Sequence, residues 1–454
     1  MSLIPSGVPS LEKETIKRVT RRIMPFLVTL YIINFLDRTN VGFAALTMNE
    51  EVGISEAVYG LGAGIFFLGY FIFEVPSNVL LHRFGARRWI ARIMVTWGFV
   101  ALLMAFLQTP EHFLILRVLL GIAEAGFYPG IIFYLSLWYP ARYRARMIAI
   151  FYLGIPISNV IGAPLSTGLI QLGDAMGFSG WRVMYGVEAI PAIILGVVTW
   201  FFLTDRPKQA KWLAPEQADW LQGELDREEA AKSTVVETAG SKIKQIGRAL
   251  LNPYVIALSL IYFGITSGSN AMNFFLPSVI GTFSETFGLE INLITNGLIV
   301  AIPYAFAAFA MVWWSRRSDV RGERRFHAGG AAIFAGVAIA AALVINHPVA
   351  IVIGFIALAS GVYAAINVFW AVPSQMLTGV AAAAGIGLIN SIGNLSGFTG
   401  PFFTGAMYEA TGSYTAPFLI IAGVVTLAGI AFIVVMGKGR AKFSDQVIEA
   451  RTTA

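Results

Sequence analysis

The sequence predicts an all-α membrane protein with twelve transmembrane helices, six in each half of the chain. Of the 454 residues, 57% are hydrophobic and only 13% are charged, whereas a soluble domain carries about 25% charged residues. The mean hydropathy is +0.71. A helix needs about 20 apolar residues to cross a bilayer, and twelve stretches of that length are present. We therefore expect the lipid bilayer to surround most of the chain.

The apolar stretches fall into two groups of six. The first group lies near residues 24–47, 58–81, 89–108, 112–138, 145–170 and 184–204, and the second near 253–283, 292–315, 327–346, 349–372, 383–409 and 415–437. This pattern predicts two six-helix bundles whose halves face each other across a substrate path. The predicted domains are a tail at 1–23, a bundle at 24–204, a central loop at 205–252, a bundle at 253–437 and a tail at 438–454.

Basic residues between the apolar stretches predict the orientation in the membrane. They cluster in the loops predicted to stay in the cytoplasm, with the loop after the tenth stretch, Gln375–Ala384, as the exception because it has no basic residue. The clustered residues are Arg83, Arg87, Arg88 and Arg92, then Arg142, Arg144 and Arg146, then Arg316, Arg317, Arg321, Arg324 and Arg325. In the loops predicted outside, only Arg182 is basic. We therefore expect both termini, and with them both tails and the central loop, in the cytoplasm of a bacterial-type cell, with the protein in its inner membrane. The net charge of +6 then reflects membrane orientation, and we expect no nucleic-acid partner.

The central loop has two predicted parts. Residues 211–231 mix tryptophan and leucine with charged residues, a pattern typical of an amphipathic helix. Residues 233–241 are expected to form a linker. The segment is interpreted as a solvated connector, with a regulatory role as the alternative.

Two adjacent charges, Asp37 and Arg38, lie inside the first apolar stretch. A charged side chain at the centre of a bilayer costs about 2.5–3.5 kcal/mol on insertion scales. Charges kept there at that cost indicate a functional site. The alternative is a structural ion pair that faces the bundle interior.

The fourth apolar stretch contains a second pair of charges, Arg117 and Glu124. Seven residues place them on one helix face, about 10 Å apart along the axis. Asp37, Arg38 or a bound anion could bridge them, and the four groups together are neutral. A further acid in an apolar stretch, Glu188, is expected to pair with Arg182.

Four segments carry a resemblance to a known family. They are Asn34–Asn40, Arg83–Trp89, Arg117–Gly126 and Trp314–Asp319. In this order on twelve helices, the chain resembles a major facilitator superfamily transporter, and more narrowly the anion:cation symporter family. That family takes up organic anions and includes permeases for hexonates, tartrate, phthalate and 4-hydroxyphenylacetate. The resemblance covers essentially the whole chain.

The resemblance implies roles for the charged residues of the first half. Arg38 resembles the ligand of the substrate carboxylate, and Tyr70 an aromatic residue that hydrogen-bonds the substrate. Asp37 and Glu124 resemble the groups that take up and release the coupled proton. Arg117 would stabilise their charged forms.

Further substrate and gating residues are expected elsewhere. Asn273, Asn390 and Asn394 are candidates for binding substrate hydroxyl or carbonyl groups, and interhelical hydrogen bonding is an equal alternative. A cytoplasmic gate is expected from ion pairs among basic and acidic residues of two loops, with simple membrane orientation as their other role. The gate residues are Arg83, Arg87, Arg88, Arg316, Arg317 and Asp319.

These features predict a secondary active transporter that imports a small organic carboxylate by proton-coupled symport with alternating access. The carboxylate would be a sugar acid, a hydroxy acid or an aromatic acid. An organic-anion exchanger or uniporter without proton coupling is the alternative. The chain has no cysteine, no histidine pair at metal-ligand spacing and no phosphate-binding loop of the ATPase type. We therefore expect no enzyme activity, no metal and no cofactor, and a monomer.

Overall fold

The computed structural model describes residues 10–233, 250–373 and 379–452, and within these ranges the regular elements are helices. The helices of the first half are α1 (Ser10–Thr39), α2 (Val41–Val52), α3 (Glu56–Phe84), α4 (Ala86–Met104), α5 (Pro110–Glu124), α6 (Phe127–Ser136), α7 (Ala141–Tyr152), α8 (Gly154–Ala175), α9 (Gly180–Phe202) and α10 (Pro215–Ser233). Those of the second half are α11 (Pro253–Gly281), α12 (Phe283–Phe287), α13 (Leu293–Arg321), α14 (Arg325–Ile345), α15 (Pro348–Phe369), α16 (Gly379–Thr411) and α17 (Thr415–Thr452).

The predicted membrane class is confirmed by the length and composition of these helices. In the described ranges, ten helical stretches are long and apolar enough to cross a membrane. The two other predicted spans correspond to α4 and α16. Helix α4 carries Arg87, Arg88 and Arg92 in its first two turns, which lowers its hydropathy, and α16 begins directly after residues 374–378, which are not described.

One compact unit contains residues 10–40, 68–162 and 169–233 of the described chain. Its helices α4 and α9 pack tightly because glycines line their contact. A Cβ added to Gly98 would lie 2.6 Å from Cγ1 of Ile193, and one added to Gly196 would lie 2.7 Å from Cγ2 of Val95. Small residues let helix backbones approach in this way inside membranes. Three fully buried indole side chains, Trp97, Trp138 and Trp181, fill this unit.

The second compact unit contains residues 41–67 and 163–168 together with residues 250–373 and 379–452. Here α14 packs against α15 and α17, and α11 against α16. A Cβ on Gly329 would lie 2.7 Å from the carbonyl oxygen of Gly429, so the backbones of α14 and α17 approach closely at this point. The division into six and six helices along the sequence stays a prediction.

The central-loop helix predicted at 211–231 is found as α10, and it is docked rather than free. Leu221 is fully buried, while Glu224 pairs with Arg142 at 3.2 Å and Glu228 pairs with Arg144 at 3.3 Å. These contacts attach α10 to the start of α7 within the first unit. The linker predicted at 233–241 lies, from residue 234 onward, outside the described residues.

Candidate functional site

The helices that carry the predicted charges are interrupted next to those charges. Helix α1 ends at Thr39, α2 begins at Val41, and Asn40 forms the turn between them. In the same way α5 ends at Glu124 and α6 begins at Phe127. The first and fourth apolar stretches, predicted as continuous helices, are therefore two helices each. An interrupted helix exposes backbone polar groups inside the membrane, which is tolerated only where other protein groups or a cavity satisfy them.

Gly126 makes the second interruption possible. Its φ is 87°, a left-handed conformation that glycine adopts at little cost. A Cβ at this position would lie 2.2 Å from the Oγ of Ser77. The same Ser77 hydroxyl donates a hydrogen bond of 2.6 Å to the carbonyl oxygen of Ala125, which satisfies a backbone group that the interruption frees. The position of Glu124 at a helix end is thus set by α3 as well as by α5.

Arg38 and Glu124 form a largely buried ion pair. The guanidinium Nη2 of Arg38 donates to Oε2 of Glu124, whose side chain is fully buried. Arg38 Cζ also lies 5.4 Å from the centroid of the Tyr70 ring, within the range of a cation–π contact. The sequence left open whether Asp37, Arg38 or a bound anion bridges Arg117 and Glu124. The structure shows the contact of Arg38 with Glu124, and the bridge to Arg117 stays a prediction. The structure also brings the Arg38 guanidinium and the Tyr70 ring together, and substrate binding by these two residues stays a prediction.

Asp37 lies beside this pair but is held by an indole. Only 2% of Asp37 is exposed, and its Oδ2 accepts a hydrogen bond of 2.8 Å from Nε1 of Trp97. Its Oδ1 has no hydrogen-bond partner among the described residues. Glu124 and Glu188 are both near enough to Asp37 to repel its charge. Asp37 is therefore a buried carboxyl group with two other carboxyl groups nearby.

Arg117 is fully buried on α5. Its positive charge acts on the hydroxyl of Tyr185 from α9, and so do the charges of Glu188 and Asp37. The structure thus places Arg117 in the same polar interior as the acids. Its role as the partner that stabilises their charged forms stays a prediction.

Glu188 on α9 is the functional candidate that the sequence did not place in this site. It is 3% exposed, and its Oε2 accepts a hydrogen bond of 2.9 Å from Nδ2 of Asn40. Arg182, the expected partner, donates to the carbonyl oxygens of Ala105 and Leu107 at 3.0 and 2.8 Å. An acid in the middle of an apolar span was the signal, because such residues are rare away from functional sites.

Within the second unit, Asn273 is engaged in hydrogen bonds between helices. Its Oδ1 accepts from the hydroxyl of Tyr304 at 2.8 Å and from the hydroxyl of Tyr363 at 3.4 Å, so α11, α13 and α15 are linked there. Asn390 and Asn394 are partly buried on α16. Substrate binding by these three asparagines stays a prediction.

A polar chain in the second unit was missed by the sequence. Asn270 Nδ2 donates to the hydroxyl of Ser396 at 2.9 Å, and that hydroxyl donates to Oγ1 of Thr266 at 2.9 Å. Nearby on α11, the ring of Tyr262 stacks on Phe369 with centroids 5.0 Å apart. Serine and threonine in a membrane helix commonly hydrogen-bond to the preceding turn of their own helix. The residue types alone therefore did not predict a polar chain between helices.

The first predicted gate segment is anchored by an acid from the end of α9. Oδ1 of Asp205 accepts a hydrogen bond of 2.9 Å from the backbone N–H of Arg87, at the first turn of α4. Gly85, with φ 87°, precedes this helix and offers no capping side chain. The guanidinium groups of Arg83 and Arg88 lie over aromatic rings, 5.6 Å from Phe84 and 5.9 Å from Trp200 respectively.

The second predicted gate segment is built in a different way. Asp319 pairs with Arg324 at 2.5 Å, and the guanidinium of Arg317 lies 5.7 Å from the Trp313 ring. Arg316 lies in the last two turns of α13. That these two segments close a cytoplasmic gate stays a prediction.

Glu323 fixes the start of α14 beside that segment. Its carboxylate accepts from the backbone N–H groups of Phe326 and His327 at 2.8 and 3.1 Å and contacts Nδ1 of His327 at 2.6 Å. Burial raises the pKa of Glu323, but these hydrogen bonds more than offset it, so its pKa lies below its usual value. Glu323 is therefore ionised in the neutral range and acts as an N-terminal cap of α14.

Helices that are long and apolar enough to cross a membrane, packed around buried charges, define a membrane protein with many spans. The chain belongs to the Major Facilitator Superfamily, whose sequence model matches residues 27–401. The fold is the all-α fold of that superfamily. The chain is similar in structure to the xylose transporter XylE from E. coli in a partially occluded inward-open conformation, with a TM-score of 0.71, 16% identity, and coverage of 92% of this chain and 97% of that one.

Two sequence relatives are considerably closer. A protein of Agrobacterium vitis named "Putative tartrate transporter" is 45% identical over 442 residues, which cover 97% of this chain and 94% of that protein. A quinolone resistance transporter of Acinetobacter baumannii is 38% identical over 419 residues, which cover 92% of this chain and 94% of that protein. Both are bacterial transporters that match nearly end to end.

Proposed function

We propose that this protein imports a small organic carboxylate together with protons, by symport with alternating access, and that a hydroxylated acid such as tartrate is the preferred substrate. The observation that carries the proposal is the largely buried ion pair of Arg38 and Glu124 beside the buried Asp37. The names of the Agrobacterium relatives support the substrate class. Sugar acids, other hydroxy acids and aromatic acids are the further members of that class.

Arg38 supplies the binding group for the carboxylate. A guanidinium presents donors in a planar fork that matches a carboxylate. In the structure its Nη2 donates to Glu124, so a substrate carboxylate must compete with the Glu124 carboxylate for the positive charge of Arg38. Protonation of Glu124 removes that competition and leaves a positive charge that attracts the substrate. Proton binding and substrate binding therefore favour each other at one residue.

Asp37 is the second group that would carry a proton. It is buried within the electrostatic reach of Glu124 and Glu188, so adding a negatively charged substrate nearby increases repulsion unless protons enter as well. A neutralised interior can then pass through the change of access, because buried unpaired charge is costly. Tyr70, whose ring faces Arg38, would orient the substrate by its hydroxyl.

The remaining parts of the proposal concern the protein in its membrane. We place it in the inner membrane of a bacterial cell as a monomer, with both termini in the cytoplasm, according to the distribution of basic residues. The arginines after α3 and after α13 would then lie at the cytoplasmic face and contribute to its gate.

The test is uptake into protein-containing liposomes with a trapped pH dye. Tartrate, hexonates and aromatic acids are added in turn, and acidification of the lumen is measured with labelled substrate uptake in parallel. Symport predicts that one class enters and acidifies the lumen. Arg38→Ala should abolish uptake, while Arg227→Ala, at a side chain that is 74% exposed, should not. Entry without acidification would indicate an exchanger or uniporter, and entry of none would contradict the carboxylate assignment.

A further inference from the structure

One face of α4 carries two arginines followed by apolar side chains. Arg88 and Arg92 lie one helical turn apart, and the exposed Phe99 and Leu103 continue the same face. Residues spaced by four and seven positions lie on one side of a helix. Trp97, on the opposite side, is fully buried. The outward face of α4 is therefore cationic near the start of the helix and apolar beyond it.

Aromatic rings surround the two guanidinium groups. The guanidinium of Arg88 lies 5.9 Å from the centroid of the Trp200 ring on α9, and that of Arg92 lies 4.0 Å from the centroid of the Trp89 ring. Trp200 is exposed, and the next residue on α9, Phe201, is 78% exposed. Exposed tryptophan side chains are enriched where a bilayer meets water. We therefore expect the two arginines to lie at the level of the lipid head groups.

Neither arginine forms an ion pair with a carboxylate in the part of the chain that the structure describes. Asp205 pairs instead with Arg87, whose backbone N–H donates to it at 2.9 Å. Arg92 is partly buried, and its Nε is buried without a hydrogen-bond partner among the described residues. No charged side chain of those residues lies near enough to offset its charge. Because a partly buried charge is costly when nothing pairs with it, Arg92 requires an anion.

The sequence on either side of this surface supplies too few acids to provide that anion. Residues 82–92 contain four arginines and no acid, and residues 203–212 contain three basic residues and one acid, Asp205. Asp205 already contacts Arg87. The counter-charge for Arg92 and Arg88 is therefore expected from a bound ligand.

We propose that this surface binds the head group of an anionic phospholipid, with Arg92 and Arg88 contacting its phosphate. Guanidinium groups present paired N–H donors that match phosphate oxygens. Arg92 lies within the third apolar stretch, predicted at residues 89–108, and the exposed Phe99 beyond it provides an apolar contact for an acyl chain. A phospholipid presents a phosphate and then an acyl chain in this order, whereas a dissolved anion supplies only the charge.

The excess of positive charge also selects the kind of head group. A zwitterionic lipid brings its own cation close to its phosphate, so it neutralises two arginines less well than an acidic lipid does. Basic pockets between membrane helices bind acidic head groups for this reason. The lipid would lie at the start of α4, directly after the first predicted gate segment. Arg88 belongs to that predicted gate and Arg92 does not, so Arg92 separates lipid binding from gating.

Native mass spectrometry of the purified full-length protein in detergent tests the site without substrate. Phosphatidylglycerol and phosphatidylcholine with identical acyl chains are titrated in turn, and the retained lipid gives a dissociation constant for each. We expect the wild type to bind phosphatidylglycerol more tightly than phosphatidylcholine. Arg92→Gln should weaken phosphatidylglycerol binding about 10-fold, as for the loss of one charge-assisted hydrogen bond. Arg92→Lys keeps the charge and should weaken it less, and binding of phosphatidylcholine should stay the same in both variants.

Arg321→Gln is the matched control, because Arg321 is exposed at the end of α13. It should bind both lipids like the wild type. If Arg92→Gln does not fold, Arg88→Gln removes the second cation at an exposed position and should weaken phosphatidylglycerol binding in the same direction.

Four results would overturn the proposal. They are equal affinity of the wild type for the two lipids, unchanged phosphatidylglycerol binding in Arg92→Gln, an equal loss in Arg321→Gln, and displacement of phosphatidylglycerol by excess inorganic phosphate. The third would indicate a general attraction of lipid to basic residues, and the fourth would indicate a site for a dissolved anion. Since no substrate is present, these results do not bear on the proposed symport.

Discussion

At the scale of single residues, Arg38 is the group with two competing tasks. It neutralises Glu124 in the structure, and in the proposed function it also binds the substrate carboxylate. The sequence could predict this residue because a charge within an apolar span is costly. The sequence could not predict whether Arg38 pairs with Asp37 or with Glu124, because that depends on where α1 and α5 end.

Replacing Arg38 by lysine separates charge from geometry. Lys keeps the positive charge but lacks the planar fork, so we expect Arg38→Lys to fold and to bind substrate roughly 10- to 100-fold more weakly. That range corresponds to a lost charge-assisted hydrogen bond of about 1.5–3 kcal/mol. Calorimetric titration with the best substrate of the panel measures it, and Arg227→Lys serves as the exposed control. Unchanged affinity in Arg38→Lys would show that the substrate does not use the fork.

Glu188 shows the limit of pairing residues along the sequence. Arg182 lies six positions earlier and was the expected partner. Its guanidinium donates to the carbonyl oxygens of Ala105 and Leu107, and its pairing with Glu188 stays a prediction. The bond from Asn40 to Glu188 joins residues 148 positions apart. No local pattern encodes such a contact, although an acid within an apolar span already marks Glu188 as a candidate.

At the scale of helices, hydropathy predicted where the spans lie but not where they break. The apolar stretches extend on both sides of Asn40, of Ala125 and Gly126, and of Leu153. The sequence pattern therefore predicted one helix in each case. The structure gives two, namely α1 and α2, α5 and α6, and α7 and α8. Gly126 resembles any packing glycine in sequence, and only its φ of 87° reveals the interruption.

Gly126→Ala tests the interruption between α5 and α6. A left-handed conformation costs a residue with a Cβ about 1–2 kcal/mol, and here the added Cβ would also meet Ser77. Gly177 has a similar φ of 81° with open space around it, so Gly177→Ala isolates the conformational cost. We expect Gly126→Ala to lower the melting temperature in detergent clearly more than Gly177→Ala. Equal losses would show that the contact with Ser77 does not hold the helix end.

Asp205 stabilises the start of α4. It supplies the acceptor that Gly85 cannot supply at the start of that helix, and loss of a cap costs about 1 kcal/mol. Asp205→Ala should therefore lower the melting temperature modestly, whereas Asp219→Ala, at an exposed position of α10, should not. A full wild-type melting temperature in Asp205→Ala would mean that the first gate segment is held by other contacts.

At the scale of the whole molecule, the distribution of arginines predicts the orientation. The chain contains no cysteine, so a single introduced cysteine reports one site without background. Lys13 and Glu50 are both exposed and lie before and after the first span. We expect a membrane-impermeant maleimide to label Glu50→Cys but not Lys13→Cys in intact spheroplasts, and both after permeabilisation. Labelling of Lys13→Cys in intact spheroplasts would contradict the predicted cytoplasmic N-terminus.

The composition sufficed to predict the membrane class, because 57% hydrophobic residues and only 13% charged residues depart strongly from the composition of a soluble domain. The charges of the proposed site were visible for the same reason. What the sequence could not provide is the set of long-range contacts that joins Asp37 to Trp97, Arg38 to Glu124 and Asn40 to Glu188. These contacts turn single charged residues into one coupled cluster.

Glu124→Gln in liposomes tests the central claim most directly. Glutamine keeps the shape and a hydrogen-bond acceptor for Arg38 but cannot bind and release a proton. We predict that this variant exchanges labelled substrate across the membrane yet produces no acidification of the lumen, while Glu111→Gln behaves like wild type in both assays. Substrate-driven acidification by Glu124→Gln at the wild-type rate would contradict the assignment of proton coupling to the pair of Arg38 and Glu124.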